Sequence, residues 1–266
     1  MAEWRCLYKY LDAKGALLML YRSNLQFTNA TRLNDPFDCH PALIDFSNVP
    51  KEKCVGWPPD VISMVESNQY ERYRDSAWIC SLSKNHDSLL MWSYYNNHKG
   101  VCIGLDMEKV KPHLSRIMNG VYIGAREFEV QYKDIIEKPD YFRDYKDFFK
   151  YQISTKAKAW EHEQEVRLLL IDPMPATVLH HPCFAVMQLP YNPKDSEEPI
   201  DYRELRAYAE IGGDCFESLY LGINIEKDDK EKLIKLAKKL NPEIKIYQMN
   251  VDPNAFRLKE DMIENL

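Results

Sequence analysis

Two rhythms of apolar residues alternate along this chain, one repeating every second position over short runs and one every third or fourth over longer stretches. Residues 6–10 follow the first rhythm, with Tyr8 and Tyr10 on one face and Leu7 and Lys9 on the other, and predict a strand. Residues 13–21 predict a helix and residues 25–28 a second short strand. The clearest unit spans residues 77–106. A β-prone run over 77–82 leads into a helix that Asn85, Asp87 or Ser88 can cap and that carries Leu89, Leu90 and Trp92. The helix stops within 96–100. Residues 101–105 then alternate, with Val101, Ile103 and Leu105 opposite Cys102 and Gly104.

Further on, residues 110–118 predict a helix, and 121–124 and 127–132 predict strands. In the last of these, Phe128, Val130 and Tyr132 point away from Glu127, Glu129 and Gln131. One amphipathic helix is predicted over 145–160 from Tyr145, Phe148, Phe149, Ile153, Ala157 and Trp160. Lys156 falls inside that apolar stripe, which a stem snorkelling to water would explain. A strand over 163–171 would put Glu163, Glu165 and Arg167 on one face, with Val166, Leu168 and Leu170 packed on the other. Six prolines make 172–200 a long connection, with a short strand expected at 184–189. A strand at 218–225, a Lys-rich helix at 227–240 and a strand at 244–248 complete a parallel βαβ unit. The expected fold is α+β, with a mixed, largely antiparallel β core flanked by helices and a C-terminal βαβ unit. Residues 1–171 would form a core carrying a polar insertion at 43–76, helical over 65–75. Residues 172–266 would be an extension packed on that core.

Composition narrows the setting. A chain of 266 residues that is 45% hydrophobic can build a sizeable core. No apolar run reaches the roughly 18 residues of a membrane span, and the first residues do not read as a signal peptide. Seven cysteines without a C-x-x-C pair point to reduced thiols and a cytoplasmic protein. A net charge of -6 argues against indiscriminate nucleic-acid binding by the whole surface. The chain has neither a G-x-G-x-x-G nor a Walker loop.

Three places carry chemistry beyond what packing needs. Ser81 and Ser83 leave one face of their strand, beside a helix crowded with Met91, Trp92, Tyr94, Tyr95 and His98 that suits a cleft wall, although a strand-helix-strand core unit with two incidental serines is the favoured alternative from this segment alone. Glu163 and Glu165 would aim two acids at a common space, although a solvated Glu-Arg edge face is the common alternative. Asp35 and Asp38 flank Pro36 and Phe37, where turn formation is the favoured role and catalysis the other. Cys39, His40 and Cys54 fit no zinc spacing.

Taken together and in order, LYKY at 7–10, NDPFD at 34–38, SLS at 81–83, the run MWSYYNNHKGVCIGLD at 91–106 and the Lys156-x3-Trp160-x2-Glu163-x-Glu165-x-Arg167 pattern resemble a bacterial and phage family, domain of unknown function 2971. The order of first strand, serine strand and Glu-x-Glu strand also resembles ADP-ribosyltransferases. That second resemblance implies split sheets around an NAD cleft, with NAD as substrate and no metal. It implies catalytic roles for Glu165, Glu163 and Ser81, and NAD contacts from Lys9, Tyr8, Tyr10, Ser81, Ser83, Tyr94 and Tyr95. Glu165 would stabilise the cationic ribose, Lys9 would take the pyrophosphate charge, and Tyr94 and Tyr95 would stack the nicotinamide. It further implies a protein or nucleic-acid acceptor, with Glu163 pointing towards a guanidinium, and a toxin or phage-defence setting. Two other readings compete. One is a metal-dependent nuclease or phosphodiesterase using Asp35, Asp38 and Glu165, and the other is a non-catalytic nucleotide- or peptide-binding module.

Overall fold

A computed structural model describes residues 4–48, 52, 55–56, 58–59, 63, 74, 77–118, 121–143, 148–171, 185–187 and 206–263. Within them the predicted α+β class holds: a large, largely antiparallel sheet is flanked by helices and does not close into a barrel. The expected helix at 65–75 lies almost wholly outside the described residues, as does most of the 43–76 insertion. Residues 43–46 are not the polar start of an insertion, because Leu43, Ile44 and Phe46 are buried.

The first four strands are β1 (Cys6–Leu11), β2 (Asn24–Asn29), β3 (Ala77–Ser83) and β4 (Val101–Asp106). Helix α1 (Ala13–Arg22) separates β1 from β2, with Asp12 capping its start. Helix α2 (Leu89–Asn96) separates β3 from β4; of the three expected caps, Ser88 serves, and Asn97 closes the helix in the left-handed region. Helix α3 (Met107–Val110) runs into a short 3-10 turn through Leu114. The helix expected to continue to 118 gives way there to β5 (Ser115–Met118), paired with β6 (Val121–Gly124).

The strand expected over 127–132 is two strands, β7 (Arg126–Glu129) and β8 (Gln131–Lys133), separated by buried Val130 and belonging to different sheets. The helix expected over 145–160 is also shorter. Helix α4 (Phe148–Ser154) ends where Ser154 turns its hydroxyl back onto the Lys150 carbonyl, and β9 (Thr155–Ala157) then pairs with β8. Residues 145–147 lie outside the described set. A 3-10 helix over Lys158–Glu163 leads to β10 (Glu165–Ile171). The remaining strands are β11 (Ala185–Met187), β12 (Arg206–Glu210), β13 (Phe216–Leu221), β14 (Lys245–Val251) and β15 (Leu258–Met262), with helix α5 (Lys227–Leu240) between β13 and β14. Strands β13 and β14 are parallel, as the βαβ pattern required. Strands from both parts of the chain share the one sheet, since β12 pairs with β2 and β13 with β4.

The functional face follows from side-chain alternation. Leu25, Phe27, Trp78, Cys80, Leu82, Val166, Leu168, Leu170, Ala207 and Ala209 form the main core with α1 and α5. Thr28, Ile79, Ser81, Ser83, Glu165, Arg167, Arg206 and Tyr208 alternate with them and belong to the opposite face. The sheet also forks at β3. One edge of β3 pairs continuously with β10, from Ala77 to Ser83. The other edge meets β2 at Trp78 and Ile79 and β1 at Ser83, so among the described residues no strand neighbour covers residues 80–82 there. A buried carbonyl without a partner is costly. Lys9 removes that cost at Ser81, donating from its ammonium to the Ser81 carbonyl at 2.8 Å.

Candidate functional site

The fork opens a cavity of about 460 Å³, within the size range of nucleotide and cofactor clefts. Lys9, Ser81, Ser83, Met91 and Tyr95 line it, and Asp38, Lys156, Glu163 and Glu165 form a charged wall. Behind that wall lies Arg167, only 1% exposed. Its guanidinium is fully committed. Nε donates to Glu165 Oε1 at 2.9 Å and Nη2 to Glu165 Oε2 at 3.0 Å. Nη2 also donates to Asp38 Oδ1 at 2.6 Å, while Nη1 reaches the Ile153 carbonyl at 2.8 Å and Cys39 Sγ at 3.5 Å. These contacts occupy all five donors of the fork.

Lys156 does not snorkel. It is 6% exposed and donates to Glu163 Oε2 at 2.5 Å and Glu165 Oε2 at 3.4 Å, with Asp38 Oδ2 at 3.7 Å. Its position in an apolar stripe was a true sign of burial, and the three carboxylates around it supply what the stripe could not. Glu163 and Glu165 do not share a strand as expected. Glu163 ends the 3-10 helix, and Gln164 sits at φ 44 in the left-handed region before β10 begins. Such a conformation costs a non-glycine residue roughly 1–2 kcal/mol. The consequence here is that both acids reach Lys156 from different backbone elements. Tyr95 adds a hydrogen bond from its hydroxyl to Glu163 Oε1 at 2.5 Å.

Electrostatics separates the acids. Burial raises the pKa of Glu165, but Arg167 and Lys156 outweigh it, and with help from a Ser81 hydrogen bond they hold the carboxyl at about 2. At Asp38 burial prevails over Arg167 and Lys156, and the pKa is raised. Burial lowers Lys156, yet Glu165, Asp38 and Glu163 reverse this and raise it, so it stays a cation. Burial and the neighbouring Glu163 push the Tyr95 hydroxyl up, which keeps it a donor.

The sequence-derived candidates divide accordingly. Ser81, Ser83, Tyr95, Glu163 and Glu165 come together on the cleft. Ser83 is tied locally, donating to the Glu163 carbonyl at 2.7 Å and accepting from Asn85 N. Tyr8 and Tyr10 border the cavity, but their rings pack with His86 and Tyr220 and against Trp92. Tyr94 lies outside it, two-thirds exposed and edge-on to His162. Asp35 forms the expected turn, accepting from Phe37 N at 2.9 Å. Asp38 is not turn chemistry but part of the ion cluster. Lys156 and Arg167 are the site residues to which sequence reasoning gave no role, and Asp38, for which a turn was favoured over catalysis, joins them in the cluster.

An α+β protein with a forked sheet and a buried five-residue ion cluster on its cleft is the class these features define. Residues 91–168 match the model of a family described as a protein of unknown function, DUF2971, the family the motifs resembled. That stretch holds Tyr95, Lys156, Glu163, Glu165 and Arg167. No curated protein and no solved structure matches the chain. Among the described residues no group of three or more His, Cys, Asp or Glu is placed to hold a metal ion, and no helix is long and apolar enough to cross a membrane.

Proposed function

We propose that this chain is a cytoplasmic NAD-dependent ADP-ribosyltransferase-like enzyme. It would break the nicotinamide–ribose bond and pass ADP-ribose to a protein or nucleic-acid acceptor, or to water. The observation that carries the reading is Glu165, buried on a nucleotide-sized cleft with both carboxylate oxygens held by Arg167 and with Lys156 beside it. Three carboxylates in the cluster, Asp38, Glu163 and Glu165, face two cations, Lys156 and Arg167. The surplus formal charge is therefore negative. When the C1′–N bond breaks, its electron pair leaves with nicotinamide and positive charge develops on the ribose. A fixed negative wall stabilises that charge more in the transition state than in neutral-ribose NAD. The acceptor nucleophile then bonds C1′ and loses its proton to a base, for which Glu163, which lines the cleft, is the candidate.

The metal-nuclease reading draws less support, because Asp38 and Glu165 already hold Arg167 and Lys156 where a metal would need their oxygens. The test is nicotinamide release from NAD, with and without cell extract as a source of acceptor, alongside a thermal-shift titration with NAD. Release that depends on Glu165 supports the proposal. Binding of NAD without release, unaffected by loss of Glu165, would instead support a binding module.

A further inference from the structure

The main sheet ends at β15, and among the described residues no strand pairs with its outer edge. The direction of its backbone groups follows from the ladder with β14. Just beyond either end of that ladder, Ile263 N–H donates to the Ile246 carbonyl and Asp252 N–H to the Arg257 carbonyl. Bonded pairs alternate along an antiparallel ladder, so Lys259 and Asp261 turn their backbone groups to β14. Leu258, Glu260 and Met262 turn theirs to the outer edge. Such an edge is a template for another strand unless its side chains forbid the pairing, and charge on an edge strand normally does forbid it. Here Lys259 and Asp261 are exposed on one face with opposite signs, and Glu260 lies midway between them.

We propose that β15 pairs antiparallel with β15 of a second copy of this chain, about a twofold axis through Glu260. In that register the outward backbone groups of Leu258, Glu260 and Met262 bond those of the partner's Met262, Glu260 and Leu258. Lys259 comes opposite the partner's Asp261, and Asp261 opposite the partner's Lys259. Both pairs fall at non-bonded positions, where opposed Cα atoms are only about 4.5 Å apart and side chains interact most. The two neighbouring registers with the same backbone bonding lose this match. One sets Lys259 against its own copy and the other Asp261 against its own copy, and directly opposed like charges are destabilising. The strand is thus complementary to itself in one register and one symmetric arrangement. Glu260 does meet its own copy at the axis. Its carboxylate, however, lies 3.5 Å from His86, whose ring stacks on Tyr220 two strands inward, so that charge is drawn away from the axis. Apolar area adds to the contact, because Met262 is half exposed and Phe256, just before β15, is wholly exposed. Five strand spacings, roughly 24 Å, separate β15 from β3, so the pairing leaves both clefts open and does not depend on the reaction they catalyse.

Analytical ultracentrifugation over a range of protein concentrations tests this on the wild type, Lys259→Asp, Asp261→Lys and the double exchange Lys259→Asp/Asp261→Lys. All three variants alter exposed side chains only, and circular dichroism checks that each is folded. The wild type is expected to dimerise. Each single variant opposes like charges twice and should weaken dimerisation at least about tenfold. The double exchange restores opposite charges and should return the wild-type affinity. Mixing the two single variants should give a heterodimer, since acid then faces base at both pairs. A wild type that stays monomeric at its highest soluble concentration overturns the proposal. So does a dimer indifferent to the single reversals, which must form elsewhere on the surface. A double exchange that dimerises as weakly as the single variants overturns it too.

Discussion

Arg167 grips Glu165 by both carboxylate oxygens from two positions further along the same strand, with Nε and Nη2 at 2.9 and 3.0 Å. Neighbours two apart on a strand share a face, so the backbone itself brings the pair together. The pair is buried, and breaking such a pair by removing one partner typically costs about 3–5 kcal/mol. Arg167→Met should lower unfolding free energy by that order. Arg167→Lys keeps the charge but loses the fork and the reach to Ile153 and Cys39, and should fall between. Urea denaturation of the three proteins measures this, and a stable Arg167→Met would show that the cluster is dispensable to the fold.

Lys156 gives a prediction with a pH sign. Its ammonium is what permits three carboxylates to crowd together, so Lys156→Met should destabilise the protein at neutral pH by a few kcal/mol. Without the cation, those carboxylates favour protons in the folded state more strongly than in the unfolded one. The deficit relative to wild type should therefore shrink as pH falls from 7 towards 5. Melting temperatures across that range decide it, and a deficit independent of pH would mean that packing, not charge, is what Lys156 supplies.

Glu165 and Asp38 respond to acid in opposite senses. Glu165 is held at about 2 from an ordinary 4.5. Its lowered folded-state value contributes stability above about pH 4.5 that is lost as pH falls towards 2, on the order of 3 kcal/mol for a shift of this size. Asp38 has a raised folded-state value, so its ionisation opposes folding and that opposition lifts as pH drops through it. Acid titration of stability should show the Glu165 loss below about pH 4.5 in wild type, and Glu165→Gln should remove that slope.

Asp35 tests the turn. Its side chain accepts from Phe37 N at 2.9 Å and is 2% exposed. Asp35→Ala should cost on the order of 1 kcal/mol through the lost bond. An unchanged melting temperature together with lost activity would assign Asp35 to chemistry instead.

Much of the fold was legible because alternation and capping are local. Residues 77–106 declared their strand, helix and strand through Ser88, Asn97 and the Val101, Ile103, Leu105 face. What was not legible depended on distant partners. Helical spacing continued past Ser154 through Ala157 and Trp160, but pairing of Thr155–Ala157 with β8 overrode it. Strands β12 and β15 gave little signal, as two small alanines and a mostly charged edge do not announce themselves. In the site, Ser81, Glu163 and Glu165 were readable as motifs. The partnership of Lys156 with Asp38 was not, because it arises only when separate elements meet at the cleft.

Substitution of Glu165 separates binding from chemistry. Glu165→Gln keeps shape and removes one charge. Neutral parts of bound NAD would scarcely register the change, whereas a positive ribose in the transition state would. An interaction made mainly in the transition state lowers kcat when lost and leaves ground-state binding nearly intact. Loss of one such electrostatic partner costs about 100- to 1000-fold, or roughly 3–4 kcal/mol in barrier. The variant leaves Arg167 and Lys156 with one acid fewer, so its melting temperature must be taken as its own baseline. From that baseline NAD should still produce an upward shift, by mass action on the folded state. Ser81→Ala should differ. Ser81 lines the cleft on the strand paired with that of Glu165, so loss of its hydroxyl should reduce the NAD-induced shift as well as turnover. Paired thermal-shift and nicotinamide-release measurements on wild type and both variants distinguish these outcomes. Wild-type protein that neither shifts with NAD nor releases nicotinamide in the presence of candidate acceptors would remove the enzymatic reading altogether.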